Sequence, residues 1–373
     1  MSSNSSTSSS DRPVFRASIN EAGEVVLNAL ERMAGPKQPG RRVLPIAAGI
    51  FLLLVVAIEV FLYTNRVWFA DRAAWQWDVK KHMLADGRLK GNIAILGTSV
   101  LFHGVDPVVV NEQTKDTGLH TVNLALNGMQ IHHITQMVID QHEQGNRYDH
   151  LLLELRDFEI TRDNWTGGPY WRLWASMSHL NDNAVLIHEP SLLMSLSANR
   201  LLTSYNYRRG IDNWIFASAR HRRPATEYRN RNLEVGRGMI AHLGYSPLDV
   251  TRPLKPEQVP SPRERRWERN DAGLWWLDKL VAYCDEHGVT LTLLAVPAPP
   301  YVVADRQRSG YDHTMMQHVR DLQARYPNAH IRLMPVRETY ELADFTDDVH
   351  YSPTGVEKLT REVTAWVKSL PQP

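Results

Sequence analysis

The chain alternates short, unbroken apolar runs with segments whose apolar residues recur every three or four positions. The runs are Asn92 to Leu96, Leu119 to Leu124, His150 to Leu155, Val289 to Val296 and His330 to Pro335. Because they are continuous rather than alternating, each reads as a strand buried on both faces. Helical spacing instead marks a connector from Trp68 to Leu84, then Ile131 to Glu143, Ala272 to His287, Tyr311 to Tyr326 and Pro353 to Ser369. Strands joined in this way by amphipathic helices predict a parallel sheet with helices on both faces, in one doubly wound α/β domain.

Two segments depart from that alternation. Val43 to Tyr63 is a stretch of 21 residues whose only charged member is Glu59, long enough to cross a bilayer. Lys37, Arg41 and Arg42 precede it; Arg66 and Arg72 follow. A cleaved signal would have a shorter apolar region nearer the start and a small-residue cleavage site, and Phe61-Leu62-Tyr63-Thr64 offers none. The run therefore predicts a single uncleaved transmembrane helix over 43–63. The basic residues ahead of it favour a cytoplasmic N-terminus, with the domain beyond the 64–90 connector in the periplasm of an inner-membrane protein. Residues 1–42 then form a cytoplasmic tail. Residues 1–11 are mostly serine and expected to be disordered, and Ile19 to Met33 form a short amphipathic helix ended by Gly35-Pro36. The second departure runs from about 158 to 270, too long for a plain loop and without clear strands. It predicts a mostly helical insertion at the carboxyl edge of the third strand, leaving through Pro247, Pro253, Pro256, Pro260 and Pro262. The α/β domain is then 91–157 and 271–373.

Charge narrows the function classes. With 42 basic and 41 acidic residues the net charge is +1, so no global field marks a nucleic-acid binder. Arg208 to Arg237 holds eight arginines against three acidic residues. Such a segment suits anionic lipid headgroups or an anionic polymer, and equally a solvated helix face. Trp165, Trp171, Trp174 and Tyr170 could stack on sugar rings or pack the insertion's own core. The single cysteine, Cys284, precludes an internal disulfide. His132 and His133 are adjacent and so predicted to face different sides of a helix, while His313 and His318 fall outside i, i+4 spacing; no metal and no cofactor is expected.

The chemistry gathers in two distant strings. Gly97-Thr98-Ser99 follows the first strand, where a residue without a side chain lets the backbone turn sharply and present the Ser99 hydroxyl at the sheet edge. A helix-capping serine is the alternative. After the last strand comes Asp347-Asp348-Val349-His350, which brings His350 to the same edge. Asp347, three residues before it, can fix the imidazole tautomer and leave the other ring nitrogen facing the serine. Helix capping by Asp347, Asp348 and Ser352 is the competing account, and Asp348 is assigned to it.

Together with Asn123-Leu124-Ala125-Leu126-Asn127-Gly128 after the second strand, these strings resemble the SGNH (GDSL-like) hydrolase superfamily. The resemblance spans roughly Gly91 to Leu370 apart from the insertion. It implies a flavodoxin-like three-layer α/β/α fold, a Ser99, Asp347 and His350 triad, and an oxyanion hole to which Ser99 and Gly128 contribute backbone N–H groups. Where that superfamily has a Gly-x-Asn-Asp block, this chain reads Leu153-Glu154-Leu155-Arg156-Asp157-Phe158, so Arg156 stands as the candidate third donor or as an anchor for an anionic substrate group. Threonine at 98 is a second departure. These changes and the anchor look like the membrane-anchored branch related to DltD and the alginate-acetylation proteins. That branch implies transfer of an acyl group, in the simplest case acetyl, to a surface glycan acceptor beside a multipass membrane acyltransferase. A carbohydrate or lipid esterase with the same triad, and a non-catalytic scaffold, are the alternatives.

Overall fold

The computed structural model describes residues 43–70, 72–155, 202, 207, 211–212, 225–248, 252–259 and 271–371. The expectations for the N-terminal tail, for Arg156, for Trp165, Tyr170, Trp171 and Trp174, and for most of the 158–270 insertion lie outside these residues. The chain divides into two units, Met1–Asn65 and Arg66–Pro373. In the first, α1 (Val43–Thr64) contains a 20-residue stretch, Pro45–Thr64, of mean hydropathy 2.6. It is long and apolar enough to cross a membrane.

The second unit begins with α2 (Arg66–Phe69) and α3 (Arg72–Ala85). It continues through β1 (Ile93–Leu96), α4 (Ser99–Gly104), α5 (Pro107–Gln113), β2 (Thr121–Asn123), α6 (Ile131–Glu143) and β3 (His150–Leu155). After α7 (Ala225–Ala241) and α8 (Asp271–His287) come β4 (Thr290–Ala295), α9 (Pro300–Ser309), α10 (Tyr311–Arg325), β5 (Arg332–Leu333) and α11 (Pro353–Lys368). All five strands run parallel in the order β2-β1-β3-β4-β5, with Ile93 opposite both Thr121 and His150, and His150 opposite Thr290. Every residue of β1 and β3 is buried, which is why their apolar runs are unbroken. Fully burying one such aliphatic side chain contributes about 1.5–3 kcal/mol. Around the sheet, α6 packs on α8 and α11 packs on α4 and α5.

The predicted elements recur with ends moved by a few residues, and four expectations are corrected. The last run is not a strand buried on both faces: β5 keeps only Arg332 and Leu333, both exposed. The connector is two helices rather than one. Asn232 of α7 donates to the carbonyls of Val67 and Ala70 (3.0 Å each), satisfying the groups that a break at Ala70 leaves free. His132 and His133 do not face different sides: both are buried and their rings lie 3.7 Å apart. The His133 ring turns back to accept the Gln130 amide (3.1 Å), and burial holds both imidazoles well below their ordinary pKa. The N-cap of α11 is not Asp348, whose carboxylate accepts the Tyr301 hydroxyl at 2.5 Å. Ser352 is the N-cap of α11, accepting from the Gly355 amide.

Candidate active site

In a parallel sheet every strand ends at the same edge, and the order 2-1-3-4-5 opens a crevice between β1 and β3, from which the chain leaves in opposite directions. Gly97-Thr98-Ser99 lies at the β1 side of that crevice. Thr98 is the N-cap of α4, its hydroxyl accepting the Val100 amide (3.3 Å), so the capping role falls to the threonine and Ser99 becomes the first helical residue. Across the crevice, Glu154 of β3 is fully buried. Its carboxylate accepts the Thr98 amide (2.8 Å) and the Thr98 hydroxyl (2.9 Å). A side chain at 97 would collide with it: a Cβ there would meet Oε2 and lie 2.7 Å from the Glu154 Cβ. Glycine at 97 is thus required by the close approach of Glu154.

His350 reaches the same point from the turn that joins β5 to α11. Its Nε2 lies 2.8 Å from Ser99 Oγ and its Nδ1 lies 2.8 Å from Asp347 Oδ2, so the three side chains singled out in the sequence converge. A carboxylate only accepts, hence Nδ1 carries the proton and Nε2 offers its lone pair to the serine hydroxyl. Asp347 Oδ1 accepts the amides of Val349 and His350 (2.8 Å each), which locks the turn around the ring. Burial pushes the Asp347 carboxyl up, but the His350 ring and these two amides outweigh it and hold the pKa below the ordinary value.

The turn is anchored from beneath. Thr346 donates to the His350 carbonyl (2.8 Å) and Ser352 to the Asp344 carbonyl (2.8 Å). Asp344 in turn accepts from Lys358 Nζ (2.6 Å) and from the Glu341 amide (2.8 Å). Burial raises the Asp344 pKa, the Lys358 ammonium and the Glu341 amide lower it, and the net direction is down. A carboxylate depressed in the folded state stabilises above its unfolded pKa, about 3.9, and stops doing so as the pH falls through the folded value. Asp344→Asn should therefore unfold at a lower temperature than the parent at pH 7, and the difference should shrink below about pH 4. A difference that stays constant down to pH 3 would contradict this account.

The loop after β2 completes the site. Leu126 donates to the Gly97 carbonyl (3.2 Å), so this loop runs beside the Ser99 turn. Gly128 at its tip has φ +69°, a conformation that favours glycine, and it is exposed. Four side chains grip the loop. Lys80 donates to the carbonyls of Asn123 and Ala125, Trp77 to the carbonyl of Asn127 (3.2 Å), and Gln76 Oε1 accepts from the Asn127 side-chain Nδ2 (2.6 Å). The His103 ring reaches the Asn127 side chain at 3.0 Å and the Ser246 carbonyl, and lies edge-on to His350 with 6.2 Å between centroids. Arg156 lies outside the described residues. Among the described residues no group of three or more His, Cys, Asp or Glu side chains is arranged to hold a metal ion.

Glu154, Lys80 and His103 were not singled out by the sequence reading, although two of them leave a signal. Glu154 interrupts the apolar run Leu151-Leu152-Leu153-Glu154-Leu155, where a carboxylate is expected only if it is paired. Lys80 falls on the helical stripe with Trp77, Met83 and Leu84, all buried. No family model matches the chain, and no curated protein is significantly similar to it.

Proposed function

We propose that the chain is a membrane-anchored, SGNH-like serine O-acyltransferase that passes an acyl group, in the simplest case acetyl, to a cell-surface glycan. The observation that carries this is the relay Asp347 to His350 to Ser99, with both links at 2.8 Å. Ser99 Oγ attacks the acyl carbonyl while His350 Nε2 takes its proton, and Asp347 stabilises the imidazolium. Backbone amides at Ser99 and Gly128 hold the oxyanion, each such donor being worth about 3 kcal/mol of barrier. His350 then returns the proton to the leaving group. In the second half-reaction it deprotonates the acceptor hydroxyl, which attacks the acyl-serine and regenerates Ser99.

The strand order, with α6 on α8 and α11 on α4 and α5, supports a flavodoxin-like three-layer arrangement. The apolar helix Pro45–Thr64, preceded by Lys37, Arg41 and Arg42, supports an inner-membrane anchor with the α/β unit in the periplasm, beside a multipass partner that supplies the acyl group. Hydrolysis is the second reading. The Asp347 side chain is 52% exposed, so water reaches the relay and competes with a glycan for the acyl-serine.

A fluorophosphonate probe should label the full-length protein in detergent, and labelling should vanish in Ser99→Ala. Equal labelling of both would sink the serine mechanism. Given an activated acetyl ester and an oligosaccharide, the protein should yield acetylated sugar by mass spectrometry; acetate alone would assign it as an esterase.

A further inference from the structure

We infer that Lys80 is a positioning residue for the Gly128 loop, an internal cation that sets the candidate oxyanion hole from the connector helix α3. This rests on the serine-acyltransfer reading above for its catalytic meaning, though not for its geometry. Lys80 has no exposed surface, and its Nζ donates to three backbone carbonyls: Asn123 (2.6 Å), Ala125 (3.0 Å) and Gly244 (2.9 Å). Three acceptors for three ammonium protons is a full complement, whereas a neutral amine would leave one carbonyl unmet. Burial alone pushes the ammonium toward losing its proton; carbonyls, which only accept, oppose that.

The three oxygens come from segments that no strand pairing joins. Asn123 ends β2, Ala125 begins the loop to Gly128, and Gly244 belongs to the turn after α7. The Asn123 amide donates to the Leu243 carbonyl (3.0 Å), so the β2 exit and that turn are also joined directly. Close packing leaves room for nothing else: at φ +96°, a Cβ on Gly244 would collide with the Asn123 carbonyl and come within 2.9 Å of Lys80 Nζ. One turn back on α3, Gln76 and Trp77 fix Asn127, the residue before Gly128. A single helix face therefore holds the loop at Asn123, Ala125 and Asn127. The direction of the Gly128 amide is then set by α3 and by the α4 residue His103, with the sheet fixing only the loop's beginning.

The test uses full-length protein in detergent, with Lys80→Met keeping the buried stem and removing the donors. By hydrogen exchange, amides of residues 124–130 should open at least tenfold faster while β1 and β3 are unchanged. Turnover of p-nitrophenyl acetate should fall about 10²-fold with KM within about threefold, the signature of a group felt only in the transition state. Exchange that is unchanged, or faster everywhere, would overturn the positioning role, as would a loosened loop with unaltered kcat. Trp77→Phe, which removes the donor to Asn127 and trims a buried ring, should show the same pattern at smaller size, about threefold in exchange and about tenfold in turnover; it decides the matter if Lys80→Met fails to fold. Absence of Ser99-dependent turnover in the parent would sink the function reading, and the exchange result would still decide the role of Lys80.

Discussion

Ester turnover should fall roughly 10⁴- to 10⁶-fold in Ser99→Ala and in His350→Ala, and the double variant should be no slower than the worse of the two. The reason is the geometry of one proton path. With Nε2 2.8 Å from Ser99 Oγ, the serine becomes nucleophilic only as the imidazole takes its proton, so removing either member removes the same step. What survives in each variant is binding and the oxyanion donors, which do not depend on the serine or the ring. Asp347→Asn should cost somewhat less, on the order of 10³- to 10⁴-fold, for a different reason. Its Oδ1 still caps the Val349 and His350 amides, so the turn stays; but an amide nitrogen facing Nδ1 donates where the carboxylate accepted, forcing the proton to Nε2 and blocking it as a base. Turnover measured with p-nitrophenyl acetate across the four variants checks this. Multiplicative losses in the double variant would show that Ser99 and His350 act separately.

The sheet was legible because burial on both faces leaves a plain mark: a run without polar alternation, as in Ile93 to Leu96 and His150 to Leu155. Ser99 was legible because it follows such a run at the carboxyl edge; Asp347 and His350 lie well past β5, whose two residues are exposed, and were legible by their own spacing. Short helices were not: Ser99–Gly104 and Pro107–Gln113 span fewer than two full heptads between them, too little for a period to emerge. The residues that hold the site in shape were missed for a related reason. Lys80 lies on the buried stripe of the connector with Trp77, Met83 and Leu84, but only the three carbonyls that meet it, from residues 123, 125 and 244, give that place a meaning, and their meeting is a tertiary event. Glu154 was read as part of a departure from a family motif, when its partner is the threonine that marks the other departure. Thr98 and Glu154 are bonded to one another, a contact between distant segments that neither string shows alone.

That pairing makes Gly97→Ala the most damaging small change at the site. The added Cβ would overlap the Glu154 carboxylate and approach its Cβ to 2.7 Å, and Glu154 is held in β3 while Gly97 directly follows the neighbouring β1, which leaves both backbones little room to retreat. The carboxylate must swing away from the Thr98 amide and hydroxyl in a place with no exposed surface. Leaving a buried acceptor without its donors costs about 1–3 kcal/mol and overpacking about 1–3 kcal/mol more, and Ser99, the next residue along, moves with the turn. Gly97→Ala should therefore lower stability by about 3 kcal/mol or more and slow fluorophosphonate labelling by at least about 10²-fold, whereas an alanine at an open glycine such as Gly238 leaves labelling unchanged. A double-mutant cycle separates this from a generic packing defect. Glu154→Ala removes the same two bonds from the other side, so Gly97→Ala and Glu154→Ala together should cost less than their sum by about 1–3 kcal/mol. Costs that add to within about 0.5 kcal/mol would mean that glycine is needed at 97 for its backbone alone, and that the buried carboxylate does not hold the serine turn.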